Sequence, residues 1–182
     1  INSGAMGTIL LAEKDSKTYA IKIIKKDTED LRARFRKEAA SVARLTSPYI
    51  PKIFDFGEHE NNPFMIMEFV PGKNLSNVIE EKELPLDAVL KIIKQVVTAL
   101  KVLHASRLVH RDMKPENIMV DGESAKLIDL GLVSSLEDLR ENPESVGTMA
   151  YASPEQNGML RRPVDERSDL YSLGCTLYQC LE

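Results

Sequence analysis

The spacing of the apolar residues changes once, and sharply, at Val70-Pro71-Gly72-Lys73-Asn74. Before that point the apolar runs are short, at 8–12, 18–24, 50–57 and 63–69, with polar turns such as 13–17 between them. Such runs predict strands, and the first two predict a hairpin. One helix interrupts them. Asp27 or Thr28 can cap it, Glu29 and Asp30 suit the positive end of its dipole, and Leu31, Phe35, Ala39, Val42 and Leu45 recur at three and four until Ser47-Pro48. Beyond Pro71-Gly72, which breaks both periods, Leu86, Val89, Leu90, Ile93, Val96, Val97, Leu100 and Leu103 keep the 3.6-residue period over five turns. A second helix is expected at 168–181. The class is therefore α+β: a β-rich first lobe with one helix (1–69), a hinge (70–74) and a mainly helical second lobe (75–182). The chain opens on Ile1 and closes inside an apolar helical pattern, so the second lobe is expected to be incomplete.

Composition narrows the functions. In 182 residues, 43 % hydrophobic and 29 % charged residues describe a globular chain rather than a disordered one. The 24 basic and 28 acidic residues interleave to a net −4, against the basic surplus that a general nucleic-acid binder needs. No apolar run approaches the 18 or so residues of a membrane span, and no signal peptide is recognisable. Cys175 and Cys180 form neither a disulfide framework nor a zinc pattern; they are expected to pack a helix in a reducing compartment. The expected location is cytoplasmic, with a membrane anchor elsewhere in a full-length protein compatible with this chain.

Three segments carry chemistry. Asn2-Ser3-Gly4-Ala5-Met6-Gly7-Thr8-Ile9 has glycines spaced as in a loop that lets backbone approach phosphate, although a plain hairpin turn reads equally well. The absence of a G-x-x-x-x-G-K-[ST] string excludes a P-loop nucleotidase. Lys22 lies in an apolar strand, where alternation alone makes it solvent-facing. Sixteen residues on, Glu38 sits close to the apolar face of its helix, and a buried acid there needs a cation such as Lys22. His110-Arg111-Asp112-Met113-Lys114-Pro115-Glu116-Asn117 crowds acids, cations and a carboxamide between a long helix and a short strand, and Asp129-Leu130-Gly131 follows twelve residues later. Asn117 and Asp129 are two oxygen ligands for a hard ion such as Mg²⁺. Asp112 is then left to orient an incoming hydroxyl and accept its proton, and Lys114 to neutralise a phosphoryl group. The stretch 134–147 is polar, aperiodic and long for a loop.

In this order, from Asn2 to about Cys180, the segments resemble the protein kinase catalytic domain. Lys114, two residues after Asp112, resembles the serine/threonine branch. Ser153-Pro154-Glu155-Gln156 and the hinge at 67–72 are most similar to the eukaryotic-like serine/threonine kinases of bacteria. The resemblance implies a two-lobed fold that binds ATP with Mg²⁺, or Mn²⁺ in its place, and transfers the γ-phosphate to Ser/Thr hydroxyls of proteins. Another copy of itself is one such substrate; nucleic acid is not a partner. It implies that Asn2, Gly4 and Gly7 cover the phosphates and that Ile9, Ala20 and Met119 enclose the adenine. Met67 is then the gatekeeper, with the backbone of Glu68 and Val70 on the base edge. Lys22 and Glu38 pair to position the nucleotide. Asp112 is the implied catalytic base, Lys114 the phosphate contact, and Asn117 and Asp129 the metal ligands. Thr148 bonds near Asp112 and Lys114, Ser145 and Thr148 are candidate phosphosites, and Glu155 pairs with an arginine beyond the chain. Ser134 and Ser135 read as ordinary loop residues. Two positions depart from the pattern: Asn2 replaces the first glycine and Leu130 the usual phenylalanine. The alternative is a catalytically impaired, pseudokinase-like nucleotide-binding or scaffolding module. A small-molecule kinase is disfavoured by 147–155, which shapes a peptide groove.

Overall fold

The computed structural model describes residues 2–4, 7–23, 29–60, 62–130, 133–141 and 147–182. They divide into two compact units, residues 1–47 with 51–70 and residues 48–50 with 71–182.

The first unit is one antiparallel sheet and one helix. Strands β1 (Asn2–Gly4), β2 (Gly7–Lys14) and β3 (Lys17–Ile23) precede helix α1 (Glu29–Val42), and β4 (Ile53–His59) and β5 (Asn62–Glu68) follow it. The order across the sheet is β1-β2-β3-β5-β4. Gly4 faces Gly7 where β1 and β2 meet, and the β2–β3 hairpin closes on Lys14 opposite Lys17. Asp15 and Ser16 take positive φ in that turn, the conformation a tight two-residue hairpin demands. On α1 the period seen in the sequence is the buried side: Phe35, Ala39 and Val42 are almost wholly covered. The helix stops at Val42 rather than at Leu45. The amide of Leu45 turns back to the carbonyl of Val42 at 3.0 Å, a three-residue closure that tightens and ends the last turn.

The second unit begins with β6 (Lys73–Asn74) and α2 (Leu75–Glu81), which the periodicity did not predict. Asn74 makes it: its side-chain oxygen accepts the amide of Asn77 at 2.8 Å, a helix cap set directly behind Pro71-Gly72. Gly72 sits at φ +100°, and a Cβ there would lie 2.1 Å from the carbonyl oxygen of Val120, so only glycine fits against that backbone. Helix α3 (Leu86–Ala105) is the spine of the unit. Its buried side is Val89, Ile92, Val96, Ala99, Leu100 and Leu103; Leu86 and Leu90, which share the apolar period, are more than half exposed. Then come β7 (Leu108–Val109), a single 3₁₀ turn (Pro115–Asn117), β8 (Ile118–Asp121), β9 (Ser124–Leu127), β10 (Ser134–Ser135), α4 (Leu136–Glu141) and α5 (Glu166–Leu181). Strands β6, β8 and β9 form one small sheet, and β10 pairs with β7. Residues 48–50 belong to this unit, where the Leu127 amide donates to the Tyr49 carbonyl at 2.9 Å.

Part of the polar stretch 134–147, expected to be loop, is thus β10 and α4. Ser135 starts the helix: its hydroxyl accepts the Asp138 amide at 3.1 Å and donates to the Asp138 carboxylate at 2.5 Å. Cys175 and Cys180 are free thiols on α5, and burial pushes the Cys180 thiol up to about 11, so it packs as a neutral group. No described helix is long and apolar enough to cross a membrane.

Candidate active site

The loop between β7 and β8 holds the charged segment 110–117, and its backbone is strained before any side chain is considered. Arg111 takes φ +68°, and Asp129, just past β9, takes φ +58°. A non-glycine residue held there costs on the order of 1–3 kcal/mol and persists only where its surroundings insist on it. Here they do. The Asp169 carboxylate, at the start of α5 and wholly buried, accepts the His110 amide through Oδ2 and the Arg111 amide through Oδ1, both at 2.9 Å. His104, near the end of α3, reaches the same Oδ2 at 2.8 Å. From the other side Gln156 donates to the Arg111 carbonyl at 2.7 Å, while its own oxygen accepts the amide and hydroxyl of Ser153 at 3.1 Å. Gly147 (φ +127°) closes against the same carbonyl, where a Cβ would stand 2.8 Å away. The His110 ring accepts the Asp112 amide at Nδ1 (3.3 Å), which leaves the proton on Nε2 to face the Ile128 carbonyl at 3.2 Å.

On this frame Asp112 gathers Lys114, Asn117 and Thr148, three of the polar residues that the sequence singled out in this unit. Its side chain is 2 % exposed. Oδ1 accepts the amide of Thr148 at 3.0 Å and its hydroxyl at 2.9 Å. Oδ2 lies 2.9 Å from the Lys114 ammonium and accepts the Asn117 carboxamide at 3.0 Å; the same Asn117 nitrogen bonds the Asp112 carbonyl at 2.7 Å. Lys114 donates onward to the Thr148 hydroxyl at 2.7 Å, closing a ring of three side chains. Burial works against the charge of Asp112, but the Lys114 ammonium and the Thr148 and Asn117 donors outweigh it and hold the carboxyl below the ordinary 3.8. The group is an anion throughout the neutral range. It is an orienter of donors and a weak base, not a base tuned to neutral pH.

Asn117 spends its N–H group on Asp112, which reserves its carboxamide oxygen for an acceptor role. The Ile128 amide donates to the Asn117 backbone carbonyl at 2.8 Å, so the chain leaves β9 beside Asn117 immediately before Asp129. Among the described residues no group of three or more His, Cys, Asp or Glu could hold a metal ion alone. Asn117 and Asp129 are oxygen donors of the kind that could hold a hard divalent cation together with water and phosphate oxygens.

The other expected residues lie as follows. Lys22 is 5 % exposed on β3, a correction to the solvent-facing side that alternation gave it. It stands opposite Ile9 on β2 and Met65 on β5, and Ala20 stands opposite Leu11 and Met67. Lys22 is the one buried position of β3, whose other residues are half-buried or exposed, so the covered side of this strand carries a lysine and not an apolar residue. Glu38 is half-buried on α1 in the same unit. The Glu68 amide donates to the Lys52 carbonyl at 2.8 Å, and Val70 is half-buried. Met119 lies on β8, opposite Asn74 and Lys126. Asn2, Gly4 and Gly7 are strand residues of β1 and β2. Glu155 accepts the Ser168 hydroxyl at 2.6 Å. Ser145 lies outside the described residues. Asp169, Gln156 and His104 went unremarked as positioning groups: an acid in the first turn of α5 reads in sequence as a dipole partner, and nothing local says that it is buried.

Comparison with known proteins accords with this layout. The protein kinase domain family matches residues 1–182. A probable serine/threonine-protein kinase of Clostridium perfringens is 35 % identical over 98 % of the chain, and the serine/threonine-protein kinase pkn2 of Myxococcus xanthus 34 % identical over all of it. The serine/threonine-protein kinase PknB of Mycobacterium leprae is 33 % identical over 98 %. The chain belongs to the protein kinase family. It spans 27 %, 23 % and 30 % of these three relatives, about a quarter of their length.

Proposed function

We propose that the protein of which this chain is part is an ATP-dependent serine/threonine protein kinase, cytoplasmic in its catalytic part, that acts on Ser/Thr hydroxyls of protein substrates, another copy of itself included. The observation that carries the reading is the Asp112 cluster: a buried carboxylate kept ionised by a lysine, a threonine and an asparagine, on a loop whose strained backbone is pinned from α5. A surface turn needs none of this. Family membership and the names of the relatives support the same reaction class.

The residues divide the work. Lys22, ion-paired with Glu38, grips the α- and β-phosphates, under the glycine-bearing β1–β2 turn with Asn2, Gly4 and Gly7. Ile9, Ala20, Met67 and Met119 enclose the adenine, and the backbone of Glu68 and Val70 bonds its edge. Asn117 and Asp129 hold Mg²⁺, which when bound neutralises phosphate oxygens. The acceptor hydroxyl approaches Asp112, which orients it and takes its proton late, as suits a carboxylate held below its ordinary pKa. A new P–O bond forms to the acceptor oxygen, the bond between the γ-phosphorus and its bridging oxygen breaks, and ADP leaves. Lys114 shields the phosphoryl group in transit, and Thr148 keeps Lys114 and Asp112 in register. Arg111 supplies a cation for a phosphorylated activation segment, with Ser145 as the candidate phosphosite; the Thr148 hydroxyl, also a candidate by sequence, is taken up by Asp112 and Lys114.

The test is incubation of the full-length protein with γ-labelled ATP, Mg²⁺ and a basic generic protein. Label is expected on serine and threonine, and is expected to vanish with a chelator or in Asp129→Ala. No label, with ATP still bound, would replace the kinase by the impaired scaffolding alternative; an Asp129→Ala protein with unaltered Mg²⁺ dependence would remove that ligand.

A further inference from the structure

Helix α1 carries Glu38, and two kinds of contact hold it within its unit. The first is apolar: Phe35, Ala39 and Val42 are buried at 3 %, 1 % and 2 % exposure. Apolar burial sets how deeply a helix seats but is not directional, so it leaves rotation about the axis weakly determined. The second is a charged cluster on the neighbouring face. Glu29, Arg32 and Arg36 recur at three and four on α1, and Glu58 reaches them from β4, the edge strand of the sheet. Arg36 donates through Nη1 to Glu58 Oε2 at 3.1 Å and through Nη2 to Glu29 Oε1 at 2.7 Å. Arg32 donates through Nε and Nη2 to Glu29 Oε2 at 3.1 and 2.7 Å, and its Nε lies 3.7 Å from Glu58 Oε1. The Arg32 and Glu58 side chains are only 19 % and 25 % exposed, so this tie is shielded more than an ordinary surface pair.

Three of the four members travel with the helix; Glu58 alone does not. Glu29 pre-orders the two guanidinium groups: Arg36 is left with Nη1 to bond the external carboxylate, and Arg32, whose Nε and Nη2 are bonded to Glu29, adds its charge to Glu58 from 3.7 Å. We infer that Glu58 is a positioning residue for nucleotide use: by holding Arg36 and Arg32 it fixes the rotation of α1, and so the approach of Glu38 to Lys22. A guanidinium–carboxylate bond is directional where apolar packing is not, and Arg36 is two residues from Glu38, too close along the helix for one to turn without the other. This rests on the reading of Lys22 and Glu38 given above.

The experiment is steady-state kinetics on the full-length protein. Glu58→Gln is expected to raise KM for ATP about fivefold with kcat within about twofold, the scale of a partly shielded ion-pair network. Arg36→Gln should do the same, and the double variant should add little to either, since both remove one tie. Unchanged KM in Glu58→Gln, fully additive effects, or a lowered melting temperature with unchanged KM would each overturn the inference. Lys22→Met separates the two readings. If it leaves KM for ATP and turnover as they were, the nucleotide assignment itself fails; if it impairs them while Glu58→Gln does not, only the role of Glu58 fails.

Discussion

The loop at 110–117 and helix α1, to which the proposal gives different parts of one reaction, are held within their own units by opposite means. Asp112 is buried, its described donors are side chains and an amide of the same unit, and the backbone beside it is clamped by Asp169 and Gln156. The orientation of α1 depends on ion pairs at the margin of solvent. The buried cluster has one low-energy arrangement because an unpaired group there costs about 1–3 kcal/mol. The marginal one is worth about 1 kcal/mol or less for each pair and can be shifted by salt, by modification or by a partner. The difference teaches where adjustment can occur: the part assigned to proton and phosphoryl handling is fixed, while the part assigned to nucleotide affinity is set by contacts that small changes can alter.

The comparison breaks most visibly at Asp169. Asp169→Ala strips the His110 and Arg111 amides and the His104 ring of their shared acceptor. It is expected to cost about 3 kcal/mol of unfolding free energy in urea titrations, with transfer activity lost in the same protein. A loss under about 1 kcal/mol would mean that the strained Arg111 conformation is held by something else. A smaller effect sharpens the picture at Thr148. Thr148→Val removes the hydroxyl that links Lys114 to Asp112 and should lower kcat about tenfold, whereas Thr148→Ser keeps it and should stay within about twofold. Equal losses in both variants would assign the effect to shape rather than to the hydrogen bond.

The smallest expected effect concerns pH. The folded carboxyl of Asp112 titrates below its unfolded value, so its contribution to stability is fully present above the ordinary 3.8 and is lost as pH falls through the lower folded value. The stability difference between wild type and Asp112→Asn should therefore be level across the neutral range and shrink only in strong acid, by about 1.4 kcal/mol for each unit that the partners lower the group. A difference that changes around neutral pH would show Asp112 to be a tuned base and contradict the present assignment.

How much was legible in sequence follows from how local each signal is. The crowding of charge at 110–117 and the spacing to Asp129 stand out because they lie within a single loop and the β8–β9 hairpin that follows it. The long period of α3 announced the helix, but not that Leu86 and Leu90 would be exposed on a second apolar face. Helix α2 was hidden behind Pro71-Gly72, since its start depends on the one Asn74 cap. Helix α4 was hidden by its polar composition, Ser135 being its only local mark. Lys22 looked exposed because alternation gives the two faces of a strand without saying which is covered, and a lysine is by default assigned to the wet one. Asp169 could not be read at all as an anchor: its three donors come from positions 58 to 65 residues away in the chain.

The most direct trial of the central claim, that Asp112 serves transfer and not nucleotide binding, is Asp112→Asn in the full-length protein, with ATP affinity and single-turnover transfer measured on the same preparation. The expected result is a fall in transfer of about a thousandfold while ATP is bound within about threefold of wild type. Transfer within about tenfold of wild type, or an ATP affinity that collapses in step with it, would contradict the claim.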